Sequence, residues 1–268
     1  MKDIQYLFID IDGVLYKGRY PIKGAKEFID YLIEEDIKFI CVTNNSSKTA
    51  ENYSKKLKSM DMKIEKNQII NSGVATVEYI KDKYLARNEN LSAYVVGGEG
   101  LIEIVKNSGI KIQDKNPDIV VVGWDVNYTY EKMKKASLAI RKGAIYIGTN
   151  PDITYPSDEG ILPGCGSILA SITTASEVEP IIIGKPKPLI MEMAAKRISA
   201  NKKKSLMIGD RIDTDILAGK NFGIQTALVL SGVYNNSELL DSSIKPDYVF
   251  EDIMELYVNL KEYRKVHK

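Results

Sequence analysis

Apolar residues along the chain fall into short continuous runs that alternate with segments of helical spacing. The stretch Tyr6-Leu7-Phe8-Ile9-Asp10-Ile11-Asp12-Gly13 is apolar until two carboxylates and a glycine end it. A run of that length bounded by turn residues predicts a buried strand. Phe28, Ile29, Leu32 and Ile33 then recur at helical spacing. A strand over 37–43, the polar turn Asn44-Asn45-Ser46-Ser47 and a helix over about 48–60 follow. The middle repeats the alternation: strand 93–96, the turn Gly97-Gly98-Glu99-Gly100, a helix to Ser108, and strand 118–122. A helix marked by Met133, Ala136 and Ile140 leads to strand 144–148. Toward the end come Ile181-Ile182-Ile183, a helix over about 188–198, strand 205–208, a helix after Asp215 and strand 226–230.

Strands alternating with helices predict βαβ units and an α/β fold with a parallel sheet. In such sheets ligands bind beyond the carboxyl ends of the strands, where Asp10 and Asp12 lie. Alternation puts both carboxylates on one side of an extended segment, and two like charges there call for a cation or a proton. A calcium loop fails on spacing, because it needs Gly at its sixth position and Glu at its twelfth. Counted from Asp10, those positions hold Leu15 and Pro21. Gly97, Gly98 and Gly100 do not fit a dinucleotide loop and read as turn glycines.

Composition narrows the function classes. The 268 residues suit one large domain or a core with an inserted one, and 44% are hydrophobic, enough for a core. The 37 basic and 36 acidic residues leave a formal charge of +1, so no global field draws the chain to nucleic acid or an anionic membrane. Lys202-Lys203-Lys204 reads as a solvated loop. Cys41 and Cys165 show no metal or redox spacing, and Cys41 reads as a small buried hydrophobe. The single histidine, His267, stands beside the carboxyl terminus, which leaves histidine chemistry out unless the tail folds back. Neither a signal peptide nor a membrane span is expected, and a cytoplasmic enzyme is.

Three more polar clusters end strand-like runs. Val42-Thr43-Asn44-Asn45 offers hydroxyl, amide and main-chain N–H groups suited to phosphate oxygens. Gly184-Lys185-Pro186 holds a cation at a sheet edge without the pattern of a P-loop. Gly209-Asp210-Arg211-Ile212-Asp213-Thr214-Asp215 gathers carboxylates where a strand gives way to a helix. Capping accounts for Asp213 or Asp215, but not for Asp210, which follows the strand directly.

These four clusters, in this order, resemble the motifs of the haloacid dehalogenase-like phosphatases, in particular the NagD-type branch. The resemblance extends over the chain, with Val122-Gly123-Trp124-Asp125, Thr149-Asn150-Pro151-Asp152 and Pro163-Gly164-Cys165-Gly166 matching the branch between the second and third clusters. Arg211 and Asp213 depart mildly from the expected fourth motif. The resemblance implies a Rossmann-like core of residues 1–76 and 182–268 with an inserted α/β cap, 77–181, that sets specificity. It implies Asp10 as nucleophile, Asp12 as general acid/base, and Mg²⁺ held by Asp10, the Asp12 main-chain carbonyl and Asp210, with Asp215 holding its waters or orienting Lys185. Thr43, Asn44, Asn45 and Lys185 are the expected phosphate contacts, and Tyr155, with Pro163-Gly164-Cys165-Gly166 expected as a loop, is a candidate contact to the leaving group. The expected partner is a small phosphorylated metabolite, with no nucleic acid, no membrane, and a homodimer as the assembly. A phosphotransferase or phosphomutase would use the same aspartates. A response-regulator receiver is disfavoured by the order of its acidic residues and by chain length, and a non-catalytic binder by the presence of Asp10.

Overall fold

The computed structural model describes residues 1, 3–85, 90–157, 159–232 and 242–265. The chain forms two compact units. The first takes in Met1–Thr43, Glu51–Ile70 and Lys185–Lys268; the second takes in Asn44–Ala50 and Asn71–Gly184. The expected cap limits, 77 and 181, both fall inside the second unit. The expectation about His267 lies outside the described residues.

The sheet of the first unit runs, edge to edge, Tyr248–Phe250, Gln225–Val229, Ser205–Gly209, Tyr6–Ile9, Lys38–Thr43 and Ile69–Asn71. Tyr6–Ile9 lies near the centre and pairs parallel with Ser205–Gly209 on one side and Lys38–Thr43 on the other. A central parallel strand is covered on both faces, which is why its sequence reads as a continuous apolar run. Leu7, Phe8 and Ile9 are fully buried. Phe8 meets Phe222 edge to face at 6.0 Å, and truncating such a side chain costs about 3–5 kcal/mol. Among the described residues the helices of this unit include Ala25–Glu34, Pro188–Ile198, Leu217–Phe222, Ile253–Lys265 and all but the first residue of Ala50–Lys58. Pro188 opens its helix at a position where a missing N–H costs nothing.

The second unit has its own parallel sheet, in the order Ile181–Ile182, Ile145–Gly148, Ile119–Val122, Ser92–Val96, Lys111–Ile112. Helices Tyr130–Arg141 and Cys165–Ser176 pack a core against it that includes Val120, Val122, Tyr146, Leu169 and Ile172. An antiparallel hairpin, Thr154–Ser157 with Gly160–Pro163, precedes the second of these helices.

Three details depart from the sequence reading. Lys202–Lys204 forms a 3-10 turn, and Lys202 donates to the Phe222 carbonyl at 2.9 Å with its ammonium over the Phe222 ring. The Pro163-Gly164-Cys165-Gly166 segment is not a loop: Pro163 ends a strand, Gly164 caps a helix and Cys165 is buried in its first turn. Helix Ser72–Ile80 buries residues on nearly every side, so it carries no amphipathic stripe for a periodicity reading to find. Among the described residues no helix is long and apolar enough to cross a membrane.

Candidate active site

Asp10 follows the central strand directly, and its N–H still donates to the Ile208 carbonyl at 2.9 Å, in step with the sheet. The chain then turns sharply. Gly13 has φ +87°, and its N–H donates to the Tyr16 carbonyl at 2.8 Å. A Cβ at this position would overlap the Asp210 carboxylate, so both conformation and space require glycine. Asp10 is buried, whereas Asp12 is exposed.

Lys185, 2% exposed, donates its three ammonium hydrogens to Asp10 Oδ1 at 2.5 Å, Asp215 Oδ1 at 2.7 Å and the Val42 carbonyl at 2.8 Å. Three partners saturate an ammonium. Asp215 sits in the π-helical turn Ile212–Ile216, and its other oxygen accepts the Arg211 N–H at 3.1 Å. Asp210 directly follows strand Ser205–Gly209, and Asp10, Asp210 and Asp215 bring ligand oxygens within 4.8 Å of one another. Arg211 and Asp213 pair with each other through two hydrogen bonds of 2.7 and 3.1 Å. The departure from the expected fourth motif therefore adds no net charge at this point.

The electrostatics show which charges the site has to balance. Burial pulls the Lys185 ammonium toward neutrality, but Asp10 and Asp215 outweigh it and hold the group above its ordinary range. Burial pushes the Asp10 carboxyl well above its ordinary value; Lys185 opposes this, and Asp215 and Asp210 reinforce it. Three buried carboxylates thus face one buried ammonium, and each uncompensated buried charge costs several kcal/mol. A divalent cation would restore the balance, and a set of hard carboxylate oxygens suits Mg²⁺. Cys41 offers no competing nucleophile, because burial and then Asp10 push its thiol far up.

Comparison with known proteins agrees with this arrangement. The model of the family described as haloacid dehalogenase-like hydrolase matches residues 7–111, and a second, HAD-hydrolase-like, matches residues 182–256. The acid sugar phosphatase of Staphylococcus haemolyticus is 40% identical over 94% of this chain and 95% of its own. That of Staphylococcus aureus strain USA300 is 38% identical over 98% and 100%. The chain belongs to the haloacid dehalogenase-like (HAD) hydrolases. Among solved structures, 4-nitrophenylphosphatase from Thermotoga maritima superimposes with a TM-score of 0.90 at 36% identity, over 96% of this chain and 97% of that one. NagD from E. coli K-12 does so with 0.85 at 31%, over 94% and 98%, which places the chain in the NagD-type branch.

Of the residues expected from this HAD chain's sequence, the first unit holds Asp10, Asp12, Thr43, Lys185, Asp210 and Asp215. The structure gathers Asp10, Lys185, Asp210 and Asp215 into one network, and the Asp12 carboxylate is not part of that acidic cluster. Asn44, Asn45 and Tyr155 belong to the second unit. Asn45 Oδ1 accepts from the Ser47 N–H at 3.0 Å and from its hydroxyl at 2.6 Å, closing a tight turn. Tyr155 meets Trp124 edge to face at 5.0 Å. Both line a cavity of about 340 Å³ together with Tyr128, Leu162 and Ile168.

Two tyrosines at this HAD site escaped the sequence reading. The Tyr16 hydroxyl hydrogen-bonds the Asp12 carboxylate, and burial followed by that carboxylate push the phenol up, so it stays a donor. Lys56 stands 3.4 Å over the Tyr16 ring. Tyr53, fully buried, hydrogen-bonds the Thr43 side chain. Tyr16 follows the first motif by a few residues, which was the available signal.

Proposed function

We propose that this HAD-family phosphatase hydrolyses small phosphomonoesters, sugar phosphates among them, with Asp10 as the nucleophile. The observation that carries the reading is a carboxylate buried at a central strand end, with one oxygen held by a saturated lysine and two more carboxylates around it. Lys185 fixes Oδ1 of Asp10, and the other oxygen attacks phosphorus. As the new O–P bond forms, the bond to the leaving oxygen breaks, and Asp12 gives that oxygen its proton. In the second half, the Asp12 carboxylate takes a proton from water, which attacks phosphorus. The bond to Asp10 breaks, and inorganic phosphate leaves. The Tyr16 hydroxyl orients the Asp12 carboxylate through both steps. Thr43, Asn44 and Asn45 supply neutral donors to the phosphoryl oxygens, and Lys185 supplies positive charge.

Asp10, Asp210 and Asp215, with the main-chain carbonyl of Asp12, are the groups that would hold Mg²⁺. When bound, the ion contributes Lewis-acid neutralisation of the phosphoryl oxygens. Residues 77–181 serve as the cap that selects the substrate, with Tyr155 toward the leaving group. The acid sugar phosphatase and 4-nitrophenylphosphatase relatives support the substrate class. We further infer a cytoplasmic homodimer; the balanced charge supports action on free metabolites rather than on nucleic acid or membranes. The test is turnover of 4-nitrophenyl phosphate and a panel of sugar phosphates by Asp10→Asn. The expected loss is at least ~10³-fold, about 4 kcal/mol of barrier, with an unchanged melting curve. Turnover within about tenfold of the native enzyme would overturn the reading.

A further inference from the structure

The chain passes from the first unit to the second between Thr43 and Asn44, and returns between Gly184 and Lys185. Each crossing splits a motif, and on the second-unit side both are fastened by one segment, Thr149-Asn150-Pro151-Asp152. The Asn44 side-chain amide donates to both carboxylate oxygens of Asp152 at 3.1 Å. The Asn44 carbonyl accepts from Asn150 Nδ2 at 2.8 Å and from the Ser72 hydroxyl at 2.5 Å. The Asp152 N–H in turn donates to Asn150 Oδ1 at 3.2 Å. A carboxylate only accepts, so Asn44 must offer Asp152 its NH₂, which turns its Oδ1 toward Gly184. A Cβ on Gly184 would come 2.5 Å from that oxygen and 2.7 Å from the Thr149 carbonyl, while the Gly184 N–H donates to the same carbonyl at 2.8 Å.

We propose that Asp152, seconded by Asn150, is a positioning residue that acts through Asn44. It ties down the side-chain amide of Asn44, leaves the main-chain N–H of Asn44 as its donor to phosphate, and so fixes the main chain that follows Thr43 in the phosphate cradle. Asn44 is polar and buried, and its side chain and carbonyl are both anchored by the same four-residue segment. A carboxylate accepting from an amide makes a stronger bond than a neutral partner would. Loss of this anchor would loosen the cradle without touching Asp10, Asp12 or Lys185. The inference rests on the proposed role of Asn44 in phosphate binding.

The test is a double-mutant cycle on the full chain with saturating Mg²⁺, using Asp152→Ala, Asn44→Ala and the pair. The readouts are kcat/KM for 4-nitrophenyl phosphate, Ki for inorganic phosphate, and the melting curve. Asp152→Ala should lower kcat/KM and raise Ki by about tenfold each, since displacements of an ångström cost up to 10²-fold. Added to Asn44→Ala, the same substitution should change both by less than about twofold, because its target is gone. Asp152→Asn, which keeps one acceptor oxygen, should recover much of the loss. Asp152→Ser, whose hydroxyl is too short to reach the Asn44 amide, carries the cycle if Asp152→Ala does not fold. An equal loss in both backgrounds, or no loss from Asp152→Ala, overturns the inference while leaving the role of Asn44 standing. If Asn44→Ala itself leaves kcat/KM and Ki unchanged, anchoring of the Asn44 side chain has no bearing on the cradle and the inference fails, while the main-chain N–H of Asn44 can still serve phosphate.

Discussion

At the scale of single residues, the site works by pairing charges that would be untenable alone. Lys185 is bonded to two carboxylates and a carbonyl, which hold its ammonium in place. In the proposed mechanism its work is to present Asp10 in one orientation and to lend fixed positive charge. Asp10, Lys185 and Asp210 could be picked from the sequence because each directly follows or closely trails an apolar run, where a capping explanation is weakest. Tyr16 could not, since an aromatic inside an apolar pattern reads as core, which it also is. Its hydroxyl is the one polar handle, and the hydrogen bond to Asp12 exists only after the turn at Gly13 folds the chain back. Tyr16→Phe keeps the packing and removes the handle. We expect kcat to fall by about tenfold, on the order of 1.4 kcal/mol, with KM little changed. Equal kcat for the two proteins would show that Asp12 needs no such guide.

At the scale of elements, strand ends carry the chemistry and the turns between them decide where it points. The parallel strands were legible because both faces are covered and their runs are apolar throughout. Helix Ser72–Ile80 was not, being buried on most sides, and helix Cys165–Ser176 was hidden behind two glycines that suggested a loop. Asp247, just before strand Tyr248–Phe250, ties that strand to Gln225–Val229. Its carboxylate accepts from the Lys220 ammonium at 2.7 Å, the Thr226 N–H at 2.8 Å and the Thr226 hydroxyl at 2.9 Å. Burial alone would raise its pKa, but the bonds from Lys220 and Thr226 outweigh burial and hold it below the ordinary 3.8. A depressed folded value contributes stability that is complete above the unfolded pKa and is lost as pH falls through the folded one. Asp247→Asn should therefore lower the melting temperature slightly at neutral pH and progressively less toward pH ~3. With both partners more than a third open to water, the effect should stay below about 1 kcal/mol. A deficit that grows on acidification would reverse the sign argued here.

For the whole molecule, the near-equality of 37 basic and 36 acidic residues contrasts with the local excess of carboxylate at the strand ends. The balanced charge gives no long-range steering toward polyanions, whereas the buried carboxylates of the site call for a cation. Activity should disappear with a chelator and return with Mg²⁺. Ca²⁺ should support far less turnover, because its longer bonds and higher coordination number let it take up both oxygens of Asp10. Full activity in Ca²⁺ alone would contradict this account of the carboxylate cluster. The central claim is covalent chemistry at Asp10, and acid-quenched single turnovers with radiolabelled 4-nitrophenyl phosphate, followed by peptide mapping, test it most directly. The expected result is hydroxylamine-labile label on the peptide that carries Asp10, appearing before inorganic phosphate and absent from Asp10→Asn. Label on any other residue, or phosphate released at the native rate with no label on protein at any quench time, would contradict it.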